Sequence, residues 1–206
     1  LGVLWYLEDA GLLAKLGRIS SVSGGSITSG VLALAWTKLR QAADRKKAFQ
    51  DLVVAPVRKM ASTTVDTKAV LGGVLAPGTV SDRIIKRYKE LLFGDRTLQD
   101  FPDEPRFVIN ATSVQTGSLF RFSKPYIGDW QVGRCLKPHR SVAEAVAASS
   151  AFPPVLSPVR LEFGPNDFST DPGPCHREPF TTKVLLTDGG VYDNMGIETA
   201  WKRCRT

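Results

Sequence analysis

A serine hydroxyl attacks an ester only when a neighbouring base takes its proton, and two segments of this chain could supply the pair. Ser21-Val22-Ser23-Gly24-Gly25 follows the G-x-S-x-G pattern, with serine in place of the first glycine. In that pattern the chain turns sharply from a strand into a helix and thrusts the central hydroxyl outward. Small residues flank it because the turn is strained and the neighbouring strand and helix leave little room. Ser21 and Gly25 are therefore motif positions and Ser23 is the candidate nucleophile. The N–H of Gly24, at a helix N-terminus, is a candidate donor to an oxyanion. Such a pattern arises by chance in roughly one chain of this length in seven, so its context matters. It stands between the β-compatible run Gly17-Arg18-Ile19-Ser20-Ser21-Val22 and the helical spacing of Ile27, Val31 and Leu34, which is the context the turn requires.

The chain has two histidines, His139 and His176. In the α/β-hydrolase order of serine, acid, histidine, the base comes last. Here no histidine follows Asp188; His139 is set among Lys137, Pro138 and Arg140, and His176 is in a proline-rich stretch, so both read as loop or surface residues. Asp188 offers another base. It closes the apolar run Lys183-Val184-Leu185-Leu186-Thr187, at the strand end where open α/β sheets bind ligands. Gly189 and Gly190 let the backbone turn away and leave room for a substrate. A carboxylate is a weaker base than an imidazole, so it must be held close and partly desolvated. The plain alternative for Asp-Gly-Gly is a turn after a strand.

The elements that would position these groups are legible in outline. Leu1, Leu4 and Leu7 space a first helix that stops at Gly11. Phe49, Leu52, Val53, Val57 and Met60 form another stripe, kinked or broken at Pro56, and Gly72-Gly73 with Pro77-Gly78 marks a loop. Ser81 is expected to cap a helix carrying Ile84, Ile85, Tyr88, Leu91 and Leu92 and ending at Gly94. Arg106 to Thr112 reads as a strand buried on both faces in a parallel sheet. Ser118 to Ser123 reads as an antiparallel or edge strand, followed by a turn region at Pro125 and Gly128. Ser141-x-x-Glu144 is a capping box opening an alanine-rich helix that Pro153-Pro154 ends, and 164–179 reads as a long surface loop. The alternation predicts an α/β fold with a mostly parallel central sheet flanked by helices, in one domain over 1–206.

Length and composition set further bounds. A chain of 206 residues, 43% hydrophobic and 23% charged, can bury one sizeable core. No apolar run approaches the roughly 20 residues of a spanning helix. The formal charge of +7 favours anionic partners, and Arg40, Arg45, Lys46, Lys47, Arg58 and Lys59 could rest on an anionic membrane surface or simply form a solvated face. Nucleic acid is not expected, since no zinc knuckle, basic zipper or aromatic-basic signature is present. Cys135, Cys175 and Cys204 form no C-x-x-C pair, so no metal and no cofactor are expected. Their dispersal suits a reducing compartment, with a Cys135–Cys175 bridge left open. The chain opens on Leu1-Gly2-Val3-Leu4 without an initiator Met or a leader, and reads as a fragment with a cytoplasmic or peripheral-membrane placement.

Three blocks agree in order with one family. Ile19-Ser20-Ser21-Val22-Ser23-Gly24-Gly25-Ser26, Ala148-Ser149-Ser150-Ala151-Phe152-Pro153-Pro154 and Leu186-Thr187-Asp188-Gly189-Gly190-Val191-Tyr192-Asp193-Asn194 resemble patatin-like phospholipases. The opening Leu1 to Leu12 is similar to that family's first helix, while 40–105 is uninformative. The resemblance implies a three-layer sandwich and a Ser23–Asp188 dyad that hydrolyses acyl esters of lipids without histidine or metal. It also implies that Asn194 and Gly196 shape the loop after the catalytic strand. The family's glycine-rich oxyanion loop precedes its first helix. The chain as given starts after that point, so the fragment is expected to be nearly inactive, one oxyanion donor being worth about 2.7–4 kcal/mol. Two other readings stand beside this one: an esterase with His139 or His176 as base, and a non-catalytic lipid-binding module.

Overall fold

The computed structural model describes residues 1–63, 79–153 and 158–201. The expected loop at Gly72-Gly73 and Pro77-Gly78, together with Pro154 and Cys204, lies outside them. Seven strands form one sheet: β1 (Arg18–Val22), β2 (Arg106–Ser113), β3 (Leu119–Phe122), β4 (Tyr126–Asp129), β5 (Gly133–Leu136), β6 (Val159–Glu162) and β7 (Lys183–Asp188), in the order β5-β4-β3-β2-β7-β6 with β1 also paired to β2. The expectation of a mostly parallel sheet is wrong. Among the described residues only β1 and β2 run parallel, and every other pairing is antiparallel.

Connection length explains the difference for β3, β4 and β5. Tight turns join β3, β4 and β5, and strands joined so closely can pair only antiparallel, whereas a parallel pair needs a long crossover. The β1–β2 connection is such a crossover and carries α2 (Gly24–Gln41), α3 (Arg45–Phe49), α4 (Ala55–Ser62) and α5 (Val80–Tyr88). Of the expected turn region, Pro125 lies in the turn between β3 and β4 but Gly128 lies within β4, and β3, antiparallel to both neighbours, lies inside the sheet rather than at its edge. Gly128 shows why a glycine interrupts that strand. Its φ is 143°, and an added Cβ would stand 2.1 Å from the Gly133 carbonyl oxygen. Gly128→Ala is therefore expected to destabilise the fold by about 2 kcal/mol or more, read as a lower urea midpoint at constant slope.

The helices follow local chemistry. α1 (Gly2–Asp9) ends before Gly11 at φ 66°, as expected of a glycine stop. Its buried Glu8 pairs with Arg45 at 2.7 Å, Asp9 meets Lys46 at 3.1 Å, and Arg58 stacks on Trp5 with its guanidinium carbon 5.8 Å from the ring centre. Half of the basic run is thus committed to holding α1. A π-helical turn, Gln50–Val54, joins α3 to α4 just before Pro56, which places the irregularity where proline lacks an N–H to give. Thr79, not Ser81, caps α5: its hydroxyl accepts from the Asp82 N–H at 3.1 Å, and Asp82 returns a bond to the Thr79 N–H at 2.8 Å. Ser81 lies inside the helix because the capping box needs its acidic residue three positions after the cap. The Ser141–Glu144 box opens α6 (Val142–Ser149) as expected.

The segment 164–179 contains neither helix nor strand, yet it is more than a surface loop. Phe168 is buried in the core against Phe120 and Phe163, and Thr170 bridges to Arg134 of β5. Cys135 and Cys175 are free thiols, so the bridge between them does not form. No helix among the described residues is long and apolar enough to cross a membrane.

Candidate active site

β2 brings the two candidate residues together. Ile109 and Asn110 pair with β1 and also with β3, so β1 and β3 lie on opposite edges of β2. Ala111 and Thr112 pair with β3 and also with β7, so β7 lies on the same edge as β1. β1 runs along that edge and ends at Val22 beside Asn110, while β7 arrives from the other direction and ends at Asp188 beside Ala111. The C-terminal ends of the two strands therefore meet head to head, with Ser23 the next residue at one end and Asp188 at the other.

One atom spans the junction. The Ser149 carbonyl, at the end of α6, accepts from the Ser23 N–H at 3.2 Å and from the Gly189 N–H at 3.2 Å, which bounds the separation of those two nitrogens at twice that length. The Ser149 hydroxyl donates to the Asn110 carbonyl at 2.6 Å and accepts from the Ser23 N–H at 3.1 Å, and the Ser26 hydroxyl lies 2.8 Å away. Sequence reasoning gave Ser149 no role. The only signal was two serines between an alanine-rich helix and a proline pair, and the bonds that matter are largely made by backbone.

The turn at Ser23 has the strained backbone expected of its motif, with φ 53° and ψ −135°. Ser21 is buried, its hydroxyl 3.1 Å from that of Ser26, so a small residue is required there by packing. The crowding argument fails at Gly25. An added Cβ at Gly24 or at Gly25 meets nothing within 4 Å, because the first turn of α2 faces open space. That space lets a ligand approach the N–H groups at the start of an 18-residue helix, a favourable place for developing negative charge.

Asp188 is buried, with 1% of its surface exposed. Its Oδ1 accepts from the Gly190 N–H at 2.7 Å, and its backbone carbonyl accepts from the Thr112 hydroxyl at 2.8 Å. Its Oδ2 is buried without a hydrogen-bond partner, so one carboxylate oxygen is fixed while the other has unspent acceptor capacity. The two glycines leave room for different things. A Cβ at Gly189 would fall 2.4 Å from the Asn110 carbonyl oxygen, and one at Gly190 would fall 3.0 Å from Asp188 Oδ1. Gly189 thus lets the chain close on β2, and Gly190 clears the carboxylate.

A polar network supports the opposite face of β1. The Asn110 amide donates to the Ser20 hydroxyl and to the Ser21 carbonyl, each at 2.9 Å, and its oxygen accepts from the Thr199 hydroxyl at 2.7 Å. Thr199 belongs to α8 (Ile197–Trp201), which follows α7 (Gly190–Asp193). Gly196, at φ 65°, accepts from Ser20 at 2.7 Å and shapes the loop as expected. Asn110 and Thr199 were missed because a polar residue inside an apolar run carries no mark of its partners.

Both histidines lie elsewhere. His139 follows β5, and His176 makes a 2.8 Å contact through Nδ1 with the Val132 carbonyl in the β4–β5 turn. β3 and β4 separate that edge from β2. Cys135, His139 and Asp167 line one small cavity there. Burial first, and the Asp167 charge second, push the Cys135 thiol up, against a smaller pull from Arg140. It stays protonated at neutral pH and is no nucleophile. Cys135 is accordingly expected to react with iodoacetamide more slowly than free cysteine at pH 8, as followed by mass spectrometry. Among the described residues no group of three or more histidine, cysteine or carboxylate side chains could hold a metal ion.

A family model described as patatin-like phospholipase matches residues 1–201. The chain belongs to that family. Patatin-like phospholipases are lipid acyl hydrolases, and at that level the chain is one of them. No curated protein matches it.

Proposed function

We propose that this patatin-like domain cleaves acyl esters of phospholipids or related lipids, in the manner of a phospholipase A, with Ser23 as nucleophile and Asp188 as base. The observation that carries the reading is the Ser149 carbonyl, which ties the Ser23 and Gly189 amides to one point. Asp188 accepts the Ser23 proton as the hydroxyl oxygen bonds to the ester carbonyl carbon, and the Gly24 N–H faces the oxyanion. Collapse expels the alcohol, which takes the proton, and leaves an acyl-enzyme. Water then attacks that ester, giving its proton to Asp188, and the fatty acid leaves as Ser23 recovers its hydrogen.

Apolar side chains exposed near the site support a lipid substrate resting at a membrane surface. Phe152 is 56% exposed, Val191 53% and Met195 77%, and all three lie close in sequence to Ser149 or Asp188. The test is a fluorophosphonate probe applied to the protein that carries this domain. A single adduct on Ser23, located by peptide mass spectrometry, is the expected result; no adduct, or labelling at another serine, would overturn the reading.

Ser149→Ala keeps the bridging carbonyl but removes the hydroxyl and its bonds to Asn110, Ser23 and Ser26. The expected cost is about 1–3 kcal/mol of stability. Because the hydroxyl orients the nucleophile's turn and does not touch substrate, kcat should fall by roughly tenfold or more with KM little changed.

A further inference from the structure

We propose that the cavity at the start of β2, at the far end of that strand from Ser23 and Asp188, binds a ligand carrying a phosphate monoester. The cavity measures about 400 Å³, within the range of small-molecule sites. Arg106, Lys124 and Lys137 line it with a single carboxylate, Asp103, over an apolar floor that includes Phe107. Lys124 is matched by Asp103, Nζ to Oδ1, at 2.9 Å. Arg106 and Lys137 have no acidic partner among the described residues. The cavity therefore carries an excess of two positive charges, the complement of a phosphate monoester with about −1.5 to −2 at neutral pH. The apolar floor suits an organic portion attached to the phosphate.

Three further observations indicate a formed site rather than a loose cationic surface. Gln99 Nε2 donates to the carbonyls of Lys124 at 2.8 Å and Pro138 at 2.9 Å, and the Lys137 N–H donates to the Pro125 carbonyl at 2.9 Å. These bonds pin together the two loops that carry the lysines. Lys137 has φ 46°, a backbone conformation in which glycine would be at ease and a lysine is strained. The Arg106 guanidinium carbon lies 5.2 Å from the Tyr126 ring centre, and its Nε is buried without a hydrogen-bond partner, a rarity in folded proteins that leaves donor capacity unmet. Arg106 and Asn110 are separated along β2 by on the order of 13 Å. A ligand in the cavity is thus out of reach of the reacting atoms, and the site is separate from the one described above.

Calorimetric titration of the protein with glycerol 3-phosphate at low ionic strength tests this. Saturable binding is expected, weakened roughly tenfold in Lys137→Gly and in Lys124→Met and unchanged in Lys59→Met, a basic residue on α4 outside the cavity. Lys137→Gly suits the backbone at that position, so loss of binding there cannot be assigned to misfolding. Equal affinity in all four proteins would reveal only general attraction to a chain of charge +7 and would overturn the proposal, as would no binding at millimolar ligand. Co-sedimentation with phosphatidylcholine vesicles containing phosphatidic acid separates the two sources. Vesicle binding lost in Lys137→Gly identifies a lipid headgroup, and binding of the soluble ester without vesicle binding identifies a small phosphate ester.

Discussion

Asp188→Asn is expected to lower the rate of ester hydrolysis by about 10²–10⁴-fold, the contribution of a positioned general base, while leaving the melting temperature near that of the unsubstituted protein. The substitution is close to isosteric. The asparagine carbonyl can still accept from the Gly190 N–H, as Oδ1 does at 2.7 Å, and the backbone bonds to Ala151 and Thr112 do not involve the side chain. What changes is the second position, where a buried oxygen without a partner becomes an amide nitrogen that cannot take a proton. Steady-state kinetics on a chromogenic ester together with thermal unfolding would check both halves. Full activity in the asparagine variant would remove Asp188 from the mechanism.

Ser23→Ala should reduce turnover to the background rate, because no acyl-enzyme can form, and should abolish fluorophosphonate labelling. Stability makes this result more specific. Ser23 holds a non-glycine residue at φ 53° and ψ −135°, a conformation that costs on the order of 1–3 kcal/mol. Ser23→Gly removes the same hydroxyl and relieves the strain. It is therefore expected to be as inactive as Ser23→Ala yet more stable by about 1 kcal/mol, measured by urea unfolding of the two variants side by side. Equal stability of the pair would mean that the turn is relaxed, and activity in either would end the case for Ser23. Combining Ser23→Ala with Asp188→Asn should cost no more than Ser23→Ala alone, as for groups that act as a unit.

Much of the local structure was legible in the sequence because it rests on nearest-neighbour chemistry. The Ser141–Glu144 box, the stops at Gly11 and Gly94 and the buried strands ending at Ser113 and Asp188 depend on residues a few positions apart. Strand direction did not share that property. The apolar run of β7 looks the same whether its partner runs with it or against it, since burial on both faces constrains side-chain type and not hydrogen-bond pattern. The short strands β3 to β5 were harder still, at four residues each with Gly128 and Gly133 inside them. Asp188 stood out because Gly189 and Gly190 are demanded by close approaches, and Ser23 because its motif lies between a strand and a helix, although its own flanking glycines face open space. The Ser149 clamp did not, because it acts through a main-chain oxygen that every residue possesses.

The head-to-head meeting of β1 and β7 has a consequence for biosynthesis. The serine's strand leaves the ribosome before β2, whereas the acid's strand follows β2 in the chain and docks on an edge of it that is already in place. A nascent chain would thus carry the proposed nucleophile without its proposed base while the residues between β1 and β7 are made. An enzyme that attacks lipids in this way would stay inert beside cellular membranes until β7 was made.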